Sequence, residues 1–282
     1  MIEVSPTGLQ TYLECPRQYR YVKILGVRPL TERPALALGS LGHVALESYY
    51  RDGTNPAKAF REAAERWKAE QGIEGDEDLD KRIDALENVL ENYPGWVADK
   101  DDFEVLHLEV PFRVAFGHGR GRFVLNGRFD MVVRANTGLW ILDHKFVSTF
   151  PPEAEAETNL QVTLYTLAAQ ELWPNETFNG VVLNYVKKSM PKTTEPFRRV
   201  YCYRNATQLR MAEQHLKEVV RRLRNETTWT PAPGKHCAWC AYRSLCVAED
   251  DGTGFEAMLE AAYVIDKPEE TVEEPVEEGV FA

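Results

Sequence analysis

The chain has 282 residues, 44% of them hydrophobic, 27% charged and 11% aromatic, a globular composition that excludes collagen-like, coiled-coil and wholly disordered chains. No apolar run reaches the roughly 18 residues of a membrane span, and the opening MIEVSPTGLQ lacks the basic start and apolar stretch of a secretory signal, so a cytoplasmic protein is expected. The net charge of −11 sits in the C-terminal stretch: Glu249–Ala282 holds twelve acids and one lysine, and the rest of the chain carries thirty-two charges of each sign, so charge does not exclude a nucleic-acid partner.

Ser5-Pro6 reads as an N-cap with proline at the first helical position, opening a helix that carries Leu9, Tyr12, Leu13 and Cys15. Further amphipathic helices are expected over about 36–50, 56–70 and 79–92. From about residue 103 the period changes to two: EVLHLEVPFRVAF, GRFVLNGRFDMVVRA and LWILDHKFV read as three consecutive strands, joined by turns at 117–119 and 136–138. A helix over 154–172, strands at about 178–187 and 197–203, and a long helix over 206–225 follow. Arg210, Lys217, Arg221 and Arg224 line one side of that last helix, as a solvated edge or as phosphate contacts. A short helix is expected at 254–263, and the acidic segment from 249 on is expected to be largely disordered. This order implies an α/β (α+β) domain around a mixed sheet over residues 1–248: helical to about 100, sheet core 101–204, then a helix and a cysteine-bearing loop over 205–248.

Two constellations carry chemistry. Asp143 and Lys145 are two apart on a strand and so share a face, which Asp130 on the preceding strand can join. Two carboxylates suit Mg²⁺ or Mn²⁺, and a lysine beside them can position a water and stabilise charge on a phosphate; on spacing alone, D-x-K also describes a surface ion pair. His43 in Gly39-Ser40-Leu41-Gly42-His43, and Gln161 with Tyr165 one helical turn apart, are polar groups at helical positions. Glu109 is a candidate for supporting the ligands. The second constellation is Cys237-x-x-Cys240-x5-Cys246, three thiols that need a fourth; Cys15 is the candidate, although 221 residues lie between it and Cys237. Four thiolates accept either Zn²⁺ or an iron–sulfur cluster. Cys202, between two tyrosines on a strand, reads as a core or interface residue.

In order and separation these motifs, with SPTGLQTYLECPRQYRY at the start, resemble the PD-(D/E)XK nucleases of the RecB-nuclease and Cas4 branch, over roughly residues 5–246. The resemblance implies a restriction-endonuclease-like core, a mixed central sheet flanked by helices, and a C-terminal iron–sulfur staple. It implies divalent-metal ligation (Mg²⁺ or Mn²⁺) by His43, Asp130, Asp143 and the backbone carbonyl of His144. Lys145 would be catalytic, with Gln161 and Tyr165 arranging the site and the DNA, and Cys15, Cys237, Cys240 and Cys246 would hold a [4Fe-4S] cluster. The implied activity is a metal-dependent deoxyribonuclease, an exonuclease on single strands or DNA ends in recombination, repair or phage DNA metabolism. A helicase, a recombinase or another DNA-processing protein is the implied partner, and no membrane. A Cas4-like nuclease of CRISPR spacer acquisition and a non-catalytic DNA-binding iron–sulfur scaffold are the alternatives. Tyr12, Tyr19 and Tyr21 with Arg17, Arg20 and Lys23 are either core or a grip on a strand.

Overall fold

A computed structural model of the chain describes residues 1–266 except positions 32 and 74. β1 (Ile2–Val4) leads into α1 (Pro6–Glu14), whose start is set by Ser5: its backbone is extended and its Oγ accepts the Gly8 N–H at 3.1 Å. α2 (Pro16–Tyr19), a π-helical turn over Arg20–Ile24 and β2 (Val27–Pro29) follow. Four helices come next: α3 (Pro34–Asp52), α4 (Pro56–Gln71), α5 (Glu77–Glu91) and α6 (Tyr93–Val97). α3 and α4 each end on a glycine, Gly53 and Gly72, in the left-handed conformation that side chains disfavour.

The strands β3 (Glu104–Phe116), β4 (Phe123–Ala135) and β5 (Gly138–Val147) are the three read from alternation. The expected helix over 154–172 is broken into α7 (Ala154–Thr158) and α8 (Leu160–Leu172). Asn159 is the cause: its backbone is extended and its side chain caps α8 by accepting the Val162 N–H at 3.0 Å. β6 (Phe178–Lys187), β7 (Phe197–Cys202), α9 (Ala206–Arg224), α10 (Arg243–Asp251), α11 (Phe255–Ala262) and β8 (Tyr263–Ile265) complete the order.

The chain divides into two compact units. The larger comprises residues 33–112 and 128–210. Its sheet is mixed: β4 and β5 are antiparallel with Met131 opposite Leu142, β5 and β6 parallel, β6 and β7 antiparallel. The parallel pair needs a crossover, which α8 supplies. Leu46, Phe60, Ile83, Leu86, Leu90 and Tyr93, none of them accessible, pack α3–α6 into one core with Val186 and Phe197 of the sheet.

The smaller unit comprises residues up to 32, 113–127 and from 211 on. Here β1 lies parallel to the first half of β4, and β2 pairs antiparallel with β8. These three-residue strands are too short for alternation to show, and none was expected from sequence. Tyr21, Val27, Tyr242, Leu245 and Tyr263 form this unit's core. The position 248 taken as the end of the domain falls inside α10, and the chain continues in helix and strand to Ile265. Residues 267–282, the last sixteen of the thirty-four in the expected acidic tail, lie outside the described residues.

The N-terminal aromatics are not a strand grip. Tyr12 and Tyr19 are 6% exposed and Tyr21 1%. Arg20 donates to Glu249 at 2.6 Å, Arg17 pairs with Asp250, and the Tyr21 hydroxyl donates to Glu249. Charges assigned to the tail thus neutralise the N-terminal arginines. On α9, Lys217 pairs with Glu213 and Arg221 with Glu218, so its basic stripe is partly compensated within the helix. No described helix is long and apolar enough to cross a membrane.

Candidate active site

The larger unit brings the carboxylate and lysine group together. Lys145 Nζ lies 2.6 Å from Asp143 Oδ2 and donates to Gln161 Oε1 at 2.7 Å. Gln161, on the first turn of α8, donates from Nε2 to Asp143 Oδ1 at 3.2 Å and to the Tyr165 hydroxyl at 2.8 Å. Tyr165 in turn donates to the Arg128 carbonyl at 2.7 Å, tying the helix to β4 two residues before Asp130. Its ring stands edge-on to Phe112 and Phe129, themselves stacked at 4.3 Å. The Gln and Tyr therefore fix the lysine head and the strand beside it.

Asp130 Oδ2 accepts the His144 backbone N–H at 2.8 Å and faces His43 Nδ1 at 3.1 Å. His43, Glu109 and Asp130 each offer a ligand atom, all within 4.8 Å of one another, the one such group of three among the described residues. Glu109, read from sequence as a supporting residue, thus stands among the candidate ligands themselves. Its backbone explains why: φ is +48°, a left-handed residue inside a strand, which re-aims the side chain. No sequence pattern announces such a residue. Asp143 is outside this group of three; its Oδ2 is buried, faces Lys145 and has no aligned hydrogen-bond donor. Two carboxylates and an imidazole converging within 4.8 Å, with the buried Asp143 carboxylate on the paired strand, are a donor set suited to a divalent cation.

The helix that carries His43 approaches the sheet at Gly42. A Cβ there would stand 2.4 Å from the Phe146 ring of β5, whereas one at Gly39 would meet nothing within 4 Å. Gly42→Ala is expected to push α3 off β5, at a cost of about 1–3 kcal/mol from overpacking, and to displace His43. Thermal melting together with Mn²⁺ titration checks it: both should fall, while Gly39→Ala should leave Mn²⁺ affinity unaltered.

Electrostatics divides the acids. Burial raises the Asp130 carboxyl, but the His43 ring and the His144 N–H outweigh it and hold its pKa below the ordinary value. Burial opposes charge on His43 as well, and Asp130 overcomes it and raises the ring's pKa. Asp143 is pushed up to about 6 by burial, with Asp130 adding to the shift and Lys145 opposing it. Burial and then the charge of Asp130 raise Glu109. The site thus favours gaining a cation.

His144 is buried, and a polar network not foreseen from sequence fixes its ring. Asn184 Nδ2 lies 2.9 Å from His144 Nδ1 and 3.0 Å from the Tyr93 hydroxyl. Arg199 Nε donates to Asn184 Oδ1 at 3.2 Å and its terminal nitrogen to Asp101 at 2.6 Å. With Asn184 donating, Nδ1 is the acceptor and the neutral ring carries its proton on Nε2. Tyr50 stacks on the ring at 5.9 Å.

Burial pushes the His144 pKa from 6.5 down to about 3. A depressed native pKa means that the unfolded chain binds a proton the native chain refuses. The contribution of His144 to stability is therefore whole above about pH 6.5 and lost as pH falls toward 3. Asp143, raised from 3.8 to about 6, acts oppositely: its burdened carboxylate is relieved as pH falls through that range. Urea unfolding in metal-free buffer at neutral and acid pH separates them. His144→Asn, which keeps an acceptor for Asn184, should lose less stability between pH 6.5 and 4 than the parent.

The smaller unit holds the cysteines. Cys15, Cys237, Cys240 and Cys246 line one cavity of about 210 Å³ together with Arg17, Gln18 and His236, and no disulfide joins them. Arg17 donates to Cys246 Sγ at 3.6 Å, and the His236 Nε2 atom is buried with no hydrogen-bond partner. Burial raises the pKa of Cys240 and of Cys246. Cys15, separated from Cys237 by 221 residues of chain, is thus in the same wall. Cys202 is elsewhere and buried, as read from sequence.

Comparison with known families matches residues 3–247 to the PD-(D/E)XK nuclease superfamily. The chain belongs to that superfamily. Its mixed α/β architecture, with a central sheet flanked by helices, is the superfamily's fold, and the family makes DNA the substrate class and divalent metals the usual cofactor. No curated protein matches the chain. Among solved structures, it is similar to a protein of Eubacterium rectale named as a candidate exonuclease, with 13% identity and a TM-score of 0.50, over 85% of this chain and 86% of that one. It is also similar to the crystal structure of SSO0001, with 13% identity and a TM-score of 0.41, over 87% of this chain and 86% of that one.

Proposed function

We propose that this chain is a divalent-metal-dependent DNA exonuclease of the RecB and Cas4 branch, acting on single strands or DNA ends in the cytoplasm. The observation that carries the reading is the joint placement of the hydrogen-bonded group Lys145, Gln161 and Asp143 with the His43, Glu109 and Asp130 ligand group, Asp130 and Asp143 standing on paired strands. Asp130, His43 and Glu109 would hold Mg²⁺ or Mn²⁺, with Asp143 and the His144 carbonyl completing the set. Bound there, the ion supplies Lewis-acid polarisation of the phosphate and a lowered water pKa. Lys145, its head fixed by Gln161, is aimed to stabilise charge growing on the phosphate oxygens and to orient the attacking water. Tyr165, through Gln161 and the Arg128 carbonyl, keeps helix and strand in register as DNA binds.

The test uses end-labelled linear single-stranded DNA and a circular single strand, with Mn²⁺, Mg²⁺ or EDTA. Metal-dependent loss of the linear strand with survival of the circle is the expected result. Persistence of both with either metal would sink the reading and favour a DNA-binding scaffold.

A [4Fe-4S] cluster on the four cysteines belongs to the same proposal. Supporting it are the shared cavity and the orphaned His236 nitrogen in its wall. Anaerobically purified protein should contain iron and acid-labile sulfide, both lost in Cys240→Ser along with thermal stability. Zinc at one equivalent with no iron would replace the cluster by a single ion.

A further inference from the structure

The sheet face that carries Lys145 continues toward the edge strand with a second group of side chains. Lys145 lies opposite Tyr185 on β6, and Tyr185 opposite Arg198 on β7, so the three project from one side. Lys187, two residues beyond Tyr185, projects with them. At ordinary strand spacing, Arg198 is about 10 Å from Lys145 across the sheet. Phe150, just after β5, meets both outer cations: Lys187 Nζ is 4.6 Å and the Arg198 guanidinium 4.4 Å from its ring centroid. Its ring also meets Tyr185 edge-on at 6.3 Å.

These cations are poorly neutralised. Among the described residues Lys187 has no ion pair; besides the Phe150 ring, its ammonium donates to Thr194 Oγ1 at 3.3 Å. Arg198 donates to the Pro151 carbonyl at 2.9 Å and lies 3.6 Å from Glu153, whose side chain is 73% exposed. The Arg198 Nε atom is buried without a hydrogen-bond partner. Two cations held against one aromatic ring, in line with a lysine aimed at a phosphate, are complementary to a run of phosphates.

We infer that Lys187 and Arg198, held by the Phe150 ring over the buried Tyr185, form a subsite for the single DNA strand flanking the phosphate at Lys145, with the two cations on neighbouring phosphates. The inference rests on the nuclease reading above, and it makes the sheet edge beyond β6 the side along which the strand runs.

The experiment titrates a labelled oligothymidylate with full-length protein in EDTA at several salt concentrations. Lys187→Ala and Arg198→Gln should each weaken binding about five- to tenfold at low salt and lower the salt slope by about 0.7; Lys187→Arg should restore the slope. A second readout compares Mn²⁺-dependent cleavage of DNA with that of bis(p-nitrophenyl) phosphate, which has no flanking strand. The double variant should lose about tenfold more on DNA than on the small diester. Unchanged affinity and slope in the double variant would overturn the subsite, as would equal losses on the two substrates. Should the parent protein cleave neither substrate with any metal, the nuclease reading fails, and the EDTA titration still decides the subsite by itself. Lys187→Ala, at a half-buried strand end, should melt with the parent and guards against misfolding.

Discussion

Lys145→Ala is expected to lower the rate of phosphodiester cleavage by about 10²–10³-fold, the usual cost of removing one charge-stabilising group from a preorganised centre. Two of its contacts make the loss specific. The ammonium is held by Gln161 at 2.7 Å and by Asp143 at 2.6 Å, so it is aimed before substrate arrives and needs no reorganisation. Removing it also takes away the cation that opposes protonation of Asp143, a carboxyl that burial and Asp130 already hold up at about 6. The variant should therefore bind its metal more weakly at neutral pH, because a proton competes for Asp143. Raising Mn²⁺ and pH together should recover metal occupancy but not the rate. Recovery of the full rate would make Lys145 a partner of Asp143 and no more. Lys145→Arg should recover little, since a planar guanidinium cannot take the place of an ammonium between Gln161 and Asp143.

How far the chain could be read from sequence depended on whether the determining forces were local. Strand alternation from residue 104 and the Ser5 cap are set by neighbours within a few positions, and both are found in place. The proximity of Asp143, Lys145 and Asp130 follows from the period of two and adjacent strands. Asn159 was legible in principle, since an asparagine three residues before Val162 is a capping signal inside an otherwise unbroken helical pattern. Three things were beyond local reading. The strands β1, β2 and β8 exist only because partners distant in sequence accept their backbone groups. Glu109 reaches the centre through a left-handed backbone that nothing in its neighbourhood demands. The residues behind His144 come from positions 101, 184 and 199, and their polar side chains make sense only once the sheet and α3–α6 have closed over them.

Asp101→Ala should be among the most destabilising single changes at the protein's polar positions, because it strands a charge. The side chain of Arg199 is 6% exposed and that of Asp101 18%, and the two meet at 2.6 Å. Removing one partner of a buried pair costs about 3–5 kcal/mol, most of it the desolvated charge left behind; the remaining access of water to Asp101 favours the lower end. The melting temperature should fall by roughly ten degrees. Tyr50, which donates to Asp101 at 2.8 Å while stacking on His144, is released as well. The loss then reaches the site, since the His144 N–H anchors Asp130. Mn²⁺ affinity should drop together with stability, although Asp101 belongs to none of the ligand positions. Adding Arg199→Met to Asp101→Ala removes the stranded guanidinium and should recover part of the stability but little of the metal affinity, because Asn184 still lacks the donor that orients its amide toward His144. A double variant no more stable than Asp101→Ala alone would mean that the cost lies in packing and not in the uncompensated charge. Full recovery of Mn²⁺ affinity would separate the network from the site.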